Sequence, residues 1–151
     1  MKPSLRYPVA VGAVFVWIGF VGAISFMEAW LKFRAPGITV ELGLGIGRLV
    51  FNALNKVEWV LAIGMIANFM LQSGGLKLVE KISYAFAVLL LAVQTGWLLP
   101  LLDQRAEAMI QGVVPGPSNH HFYYVGMEIL KMLALLFLGI KLLGNSILED
   151  K

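Results

Sequence analysis

Four apolar stretches, near residues 8–30, 48–71, 82–102 and 120–143, make up most of this chain of 151 residues. Each is long enough for a helix to cross a hydrocarbon core of roughly 30 Å, which takes about 20 residues. In such a solvent every backbone N–H and C=O must be bonded within the protein, and helices solve that problem segment by segment. The expected fold is therefore all-α: an integral membrane antiparallel four-helix bundle, one domain over residues 1–151. No separate soluble domain fits. Composition agrees, since 59% hydrophobic and 14% charged residues with a mean hydropathy of +0.81 are too apolar for an ordinary soluble domain of this length.

The lipid bilayer is thus the first expected partner, with a second copy of the chain or another membrane subunit as further ones. A formal net charge of +3 is too small and too dispersed for a nucleic-acid footprint. The absence of cysteine excludes thiol redox chemistry, thiolate metal sites and disulfides. The amino terminus has the basic start of a signal peptide, but its apolar run is long and has no small-residue cleavage site, so it is read as the first span. Lys2, Arg6, Lys77, Lys81, Lys141 and Lys151 fall on one side of the threaded chain, and Lys32, Arg34, Arg48 and Arg105 on the other. That bias places both termini in the cytoplasm, in the cytoplasmic membrane of a bacterium.

The connections carry their own signals. After the first span, Pro36 and Gly37 mark a turn, and Gly43, Gly45 and Gly47 follow at alternate positions in a loop. With no strand before them, close backbone packing is a better reading than a phosphate cradle. Ser73, Gly74 and Gly75 form the next turn, and Lys77, Glu80 and Lys81 a short solvated segment. Asp103, Arg105 and Glu107 prolong the third helix until the Pro115–Pro117 region breaks it, and Ser118 and Asn119 cap the fourth. Asn145 and the final LEDK end the chain in water.

The second span carries a polar stripe. Arg48, Asn52 and Asn55 stand at i, i+4 and i+7, on one helical face, with Glu58 a turn further on. Unpaired polar groups cost several kcal/mol in hydrocarbon, so this face must look into a protein interior or a wet cavity. Antiparallel threading brings Glu28, Gln94 and Asp103 to the same half, along with His121, Tyr124, Glu128 and Lys131. The other half is almost bare of such groups. Two readings compete: a polar chamber that binds or passes a small ligand, ion or proton, and a self-neutralised network. In the latter, Arg48, Lys56 and Lys131 balance Glu28, Glu58 and Glu128, and the amides act as glue between helices.

A metal, if any, would use Glu28, Glu58, His121 and Glu128, although the Glu-x-x-His pairs of di-iron bundles are missing. His120 and His121 point about 100° apart and do not clamp a haem. No nucleophile, base and orienter triad can be assembled, no catalytic residue is assigned, and the residues name no cofactor. Trp17 and Trp59 are read as packing.

The start of the second span, GLGIGRLVFNALN, the LLPLLDQRAEA end of the third and the HHFYYVGMEILKMLALLFLGIKLL fourth span resemble the transmembrane-protein-205-like family of small four-span membrane proteins. That resemblance implies a membrane four-helix bundle and no settled activity. Asn55-Lys56-Val57-Glu58 also resembles part of the second span of the membrane-associated eicosanoid and glutathione metabolism family. This second likeness implies that Arg48, Asn55 and Glu58 bind glutathione between subunits of a trimer, although the Arg is displaced and the later basic and tyrosine positions are missing. The expected function is a non-enzymatic or transport-associated polar intramembrane site. A membrane-embedded glutathione-dependent enzyme and a structural subunit of a membrane complex are the alternatives.

Overall fold

A computed structural model of the protein describes residues 5–72 and 75–148, with side chains as far as Gly144. Lys2, Ser73, Gly74 and Lys151, the side chain of Asn145 and the last three residues of the tail lie outside the described residues. Four long helices and no strands are found among those described. They are α1 (Pro8–Arg34), α2 (Val40–Leu71), α3 (Leu78–Ile110) and α4 (His120–Leu148). The first three are long and apolar enough to cross a membrane.

The helices are longer than the apolar runs because polar caps, rather than the ends of the runs, stop them. Thr39 starts α2 eight residues before the expected Arg48, its Oγ1 accepting a bond from Leu42 N at 3.3 Å. Gly43, Gly45 and Gly47 therefore lie in a helix and not in a loop. At α3, Lys77 N donates to Glu80 Oε2 at 2.8 Å, so the segment read as solvated or interfacial forms the first helical turn, with Lys77 and Lys81 exposed and Glu80 buried. The same helix stops at Gly112, before the prolines. Gly112 takes φ +79°, its N–H reaches Met109 O at 3.1 Å, and Val113 N reaches Ala108 O at 2.9 Å, the paired bonds of a Schellman cap. Ser118 Oγ accepts from His120 N at 3.2 Å where α4 begins.

Two of the helices change winding midway. Gly22–Glu28 of α1 and Gln94–Leu98 of α3 are π-helical, with Ala29 N bonded to Ile24 O and Leu99 N to Gln94 O, each five residues back. In α3 the cause is visible, because Pro100 has no N–H to continue the ordinary ladder.

The apolar core begins at Tyr7, Phe69 and Tyr84, whose rings meet edge to face at 5.4 and 5.5 Å, and continues through Val14, Met65, Leu91 and Leu138 to Trp17 and Leu54. Two polar side chains of this region bond locally: Asn68 Oδ1 accepts the first-turn amide of Ala10 at 3.1 Å, and the Tyr84 hydroxyl donates to Ala62 O at 2.7 Å. Polarity is inverted relative to a water-soluble bundle. Glu58, Gln94, Glu128 and Lys131 are at most 1% exposed, while Val60, Leu89 and Leu133 present 58% or more of their surface.

Candidate functional site

The polar residues read from the sequence separate into an inner network and an outer pocket, with Tyr124 belonging to both. The inner network joins all four helices. Lys131 of α4 is completely buried and uses the three protons of its ammonium group on three acceptors. It contacts Glu58 Oε1 of α2, Gln94 Oε1 of α3 at 2.7 Å and Glu128 Oε1 of its own helix at 3.3 Å. Gln94 is turned so that its amide donates to Glu128 Oε1 at 3.0 Å. From α1, the Trp17 indole donates to Glu58 Oε1 at 2.7 Å. Trp17 therefore does more than pack. Its NH supplies one of the donors a buried carboxylate requires.

The outer pocket has a volume of about 190 Å³ and takes a wall from each helix. Its polar lining is Lys32 of α1, Arg48 and Asn52 of α2, Asp103 of α3, and His121 and Tyr124 of α4; the rest is mainly apolar, with Phe33, Phe51, Leu99 and Leu102 prominent. Arg48 is held from α3, its Nε and Nη2 meeting the two oxygens of Asp103 at 2.6 and 2.9 Å. Its Nη1 contacts Glu107, which in turn accepts from Gln111 at 2.8 Å. This fork-to-fork pairing fixes the guanidinium plane at the pocket wall. Asn52 donates back to Arg48 O at 3.0 Å.

Lys32 is held by Glu28 at 3.2 Å, with the Phe33 and Phe51 rings 5.4 and 5.6 Å from its ammonium. Glu28 thus pairs within its own helix and does not reach the inner network. Gly43 and Gly47 share a face of α2 and account for the alternating glycines: a Cβ would lie 2.1 Å from the Phe33 ring at Gly43 and 2.9 Å from Lys32 Nζ at Gly47. The backbone approach expected of them is real at these two positions, whereas Gly45 has open space.

Asn55 belongs to neither group. It donates to Thr95 Oγ1 at 2.8 Å, as does the Trp59 indole at 3.0 Å, and Thr95 passes its own proton to Leu91 O at 2.7 Å. Of the envisaged balance of Arg48, Lys56 and Lys131 against Glu28, Glu58 and Glu128, Lys131 does meet Glu58 and Glu128, while Lys56 is exposed, Arg48 is engaged by α3 and Glu28 pairs with Lys32. Arg48, Asn55 and Glu58, the set that a glutathione site would need, face three different surroundings. Among the described residues no group of three or more His, Asp or Glu side chains is placed to hold a metal; His121 lines the outer pocket while Glu58 and Glu128 share a lysine in the core.

Trp17, Ser25, Lys32 and Thr95 were not singled out as site residues from the sequence. Lys32 was detectable, since it stands four residues after Glu28, the spacing of a helical ion pair. Ser25 is a polar residue between the apolar Ile24 and Phe26 and is 7% exposed. The fold and the two sites thus define a class: a small all-helical protein with an apolar exterior and, beside its apolar core, a buried layer of charged and amide side chains. No protein-family model matches the chain, and no curated protein or solved structure does so.

Proposed function

We propose that this is an integral membrane protein of four antiparallel spans that binds a small amphipathic ligand in the pocket at one end of its bundle. Four spans are supported by the distribution of polarity, since Glu128 and Lys131 of α4 are buried inside the protein and its outer face carries Leu133, Phe137 and Ile140. The antiparallel arrangement is supported by the pairings. Ala10 with Asn68 and Trp17 with Glu58 run in opposite directions along α1 and α2, as do Arg48 with Asp103, Asn55 with Thr95 and Ala62 with Tyr84 along α2 and α3.

The observation that carries the ligand reading is the pocket itself. Four helices contribute to it, its cations are held in place by fixed carboxylates, and its floor and walls are largely apolar. A volume of 190 Å³ exceeds the roughly 150 Å³ of an engineered apolar cavity that takes benzene. The ligand that fits has an apolar body of about eight carbons and one hydrogen-bonding or charged end directed at Lys32, His121 or Tyr124. Octanoate and octanol, alike in body and different in head, are suitable probes.

Thermal unfolding of the protein in nanodiscs tests the reading. A probe at a hundredfold excess over its dissociation constant stabilises by about 2.7 kcal/mol. Ala106→Phe, which fills the pocket from α3, is expected to remove that stabilisation while leaving the protein folded. Equal stabilisation of wild type and Ala106→Phe, or of neither, overturns the proposal. A stronger effect of octanoate than of octanol assigns the head group's partner to the cations.

A further inference from the structure

We infer that the outer pocket takes an amphiphile with an uncharged, hydrogen-bond-accepting head and turns away an anionic one, and that Glu28 and Glu107, which lie outside its lining, set this selection. The inference rests on the pocket reading above and names the class of head group.

Two cations in the lining suggest a carboxylate ligand, but their pairings oppose one. Lys32, whose side chain is 9% exposed, meets Glu28 Oε2 at 3.2 Å. Arg48 meets Asp103 through Nε and Nη2, and Glu107 through Nη1. The two cations of the lining therefore face three carboxylates. With His121 neutral the group carries one net negative charge, and with His121 protonated it carries none. In neither state is there a positive surplus to receive an anion.

Nor can either cation be given up to a ligand at little cost. Lys32 is the one hydrogen-bonding partner of Glu28 among the described residues, and Glu28 Oε1 is buried with none. An anion that drew Lys32 away would leave that carboxylate uncompensated, the costly way to break an ion pair. Drawing Arg48 away would strip a two-pronged pairing from Asp103 and a contact from Glu107. The anion would also lose hydration on entering a cleft walled by Phe33, Phe51, Leu99 and Leu102.

Hydrogen-bond donors remain available without that surplus. Glu28 takes one of the three ammonium protons of Lys32, and among the described residues no oxygen takes the other two. Asn52 Nδ2 spends one proton on Arg48 O at 3.0 Å and retains a second. A hydroxyl, ketone or amide oxygen can accept from Lys32 while Glu28 keeps its place, because a neutral acceptor does not compete for the charge. The selection is exerted through Lys32 and Arg48 by the carboxylates behind them, so removing one carboxylate should weaken it.

Thermal unfolding of the protein in nanodiscs of zwitterionic lipid, titrated with octanol and with octanoate at neutral pH, gives a dissociation constant for each. The ratio of the two, compared between proteins, cancels their unequal partition into the bilayer. Glu28→Gln, which keeps the shape of the side chain and frees the charge of Lys32, is expected to shift the ratio toward octanoate by about tenfold. Glu107→Gln shifts it the same way through Arg48 and serves if Glu28→Gln fails to fold. Lys32→Met, which leaves Glu28 unpaired, shifts it the other way, and loss of packing alone does not produce opposite signs. A ratio unmoved by Glu28→Gln in folded protein, or moved in one direction by both Glu28→Gln and Lys32→Met, overturns the selection and leaves the pocket reading standing. Failure of octanol and octanoate alike to stabilise the wild type overturns the pocket reading and this selection with it.

Discussion

Lys131 is the residue on which the interior depends, because it is completely buried and two buried carboxylates share it. Removing one member of such a cluster is more damaging than removing all of it, since the survivors keep the cost of burial without the attraction. Lys131→Met is expected to lose about 3–5 kcal/mol of stability. The triple variant Glu58→Gln, Glu128→Gln, Lys131→Met, which leaves no charge in the core, should regain most of that loss. Reversible denaturation in detergent measures both, and equal stability of the single and triple variants would contradict the account. At this scale the sequence displayed the chemical types but not the partners. Glu58, Gln94, Glu128 and Lys131 were recognisable as polar residues that lipid would reject. That Trp17 would turn its indole to Glu58, or that Arg48 would be taken by Asp103 and Glu107, depends on side-chain reach across helices, which residue spacing along one helix does not contain.

Between elements, the fit of α1 against α4 depends on a missing side chain. At Gly139 a Cβ would lie 3.0 Å from both Val14 Cγ1 and the Phe15 ring, and Val14 is fully buried, so the neighbour has little room to yield. Gly139→Leu is expected to destabilise by about 1–3 kcal/mol through overpacking. Gly64→Ala in α2, where a Cβ meets nothing within 4 Å, should be neutral or stabilise by up to about 1 kcal/mol through helix propensity. Parallel thermal melts of the two variants would show opposite signs, and a matching loss in both would refute the packing argument. The number and order of helices were legible from the apolar runs, because length against bilayer thickness is a strong constraint. Their ends were not, because Thr39, Glu80 and Gly112 stop or start helices by local hydrogen bonds independent of hydrophobicity. The π-helical turns at Gly22–Glu28 and Gln94–Leu98 also escape a 3.6-residue reading. Each inserts an extra residue and advances the face beyond it by roughly 100°, so faces projected through Ser25 or Gln94 come out wrong.

For the whole molecule, the proposed arrangement of four spans implies that the connection containing Lys77 and the one containing Gly116 open on opposite sides of the membrane. The natural chain has no cysteine, so single-cysteine variants need no prior substitution. In right-side-out vesicles an impermeant maleimide should label Gly116→Cys and spare Lys77→Cys if the orientation proposed from the basic residues holds. The reverse pattern would invert the proposed orientation, and labelling of both would remove the four-span arrangement. The gathering of polar groups at one half was legible from threading alone, which is why Arg48, Asp103, His121 and Tyr124 were expected together. Their division into a pocket and a sealed layer was not, since it turns on the Tyr124 ring lying between them. One consequence concerns biosynthesis. All the partners that Lys131 finds outside its own helix precede it in the chain, and Glu128 accompanies it three residues earlier. If the proposed spans enter the bilayer in chain order, the ammonium group of α4 meets acceptors already in place, a prepared cradle rather than bare lipid.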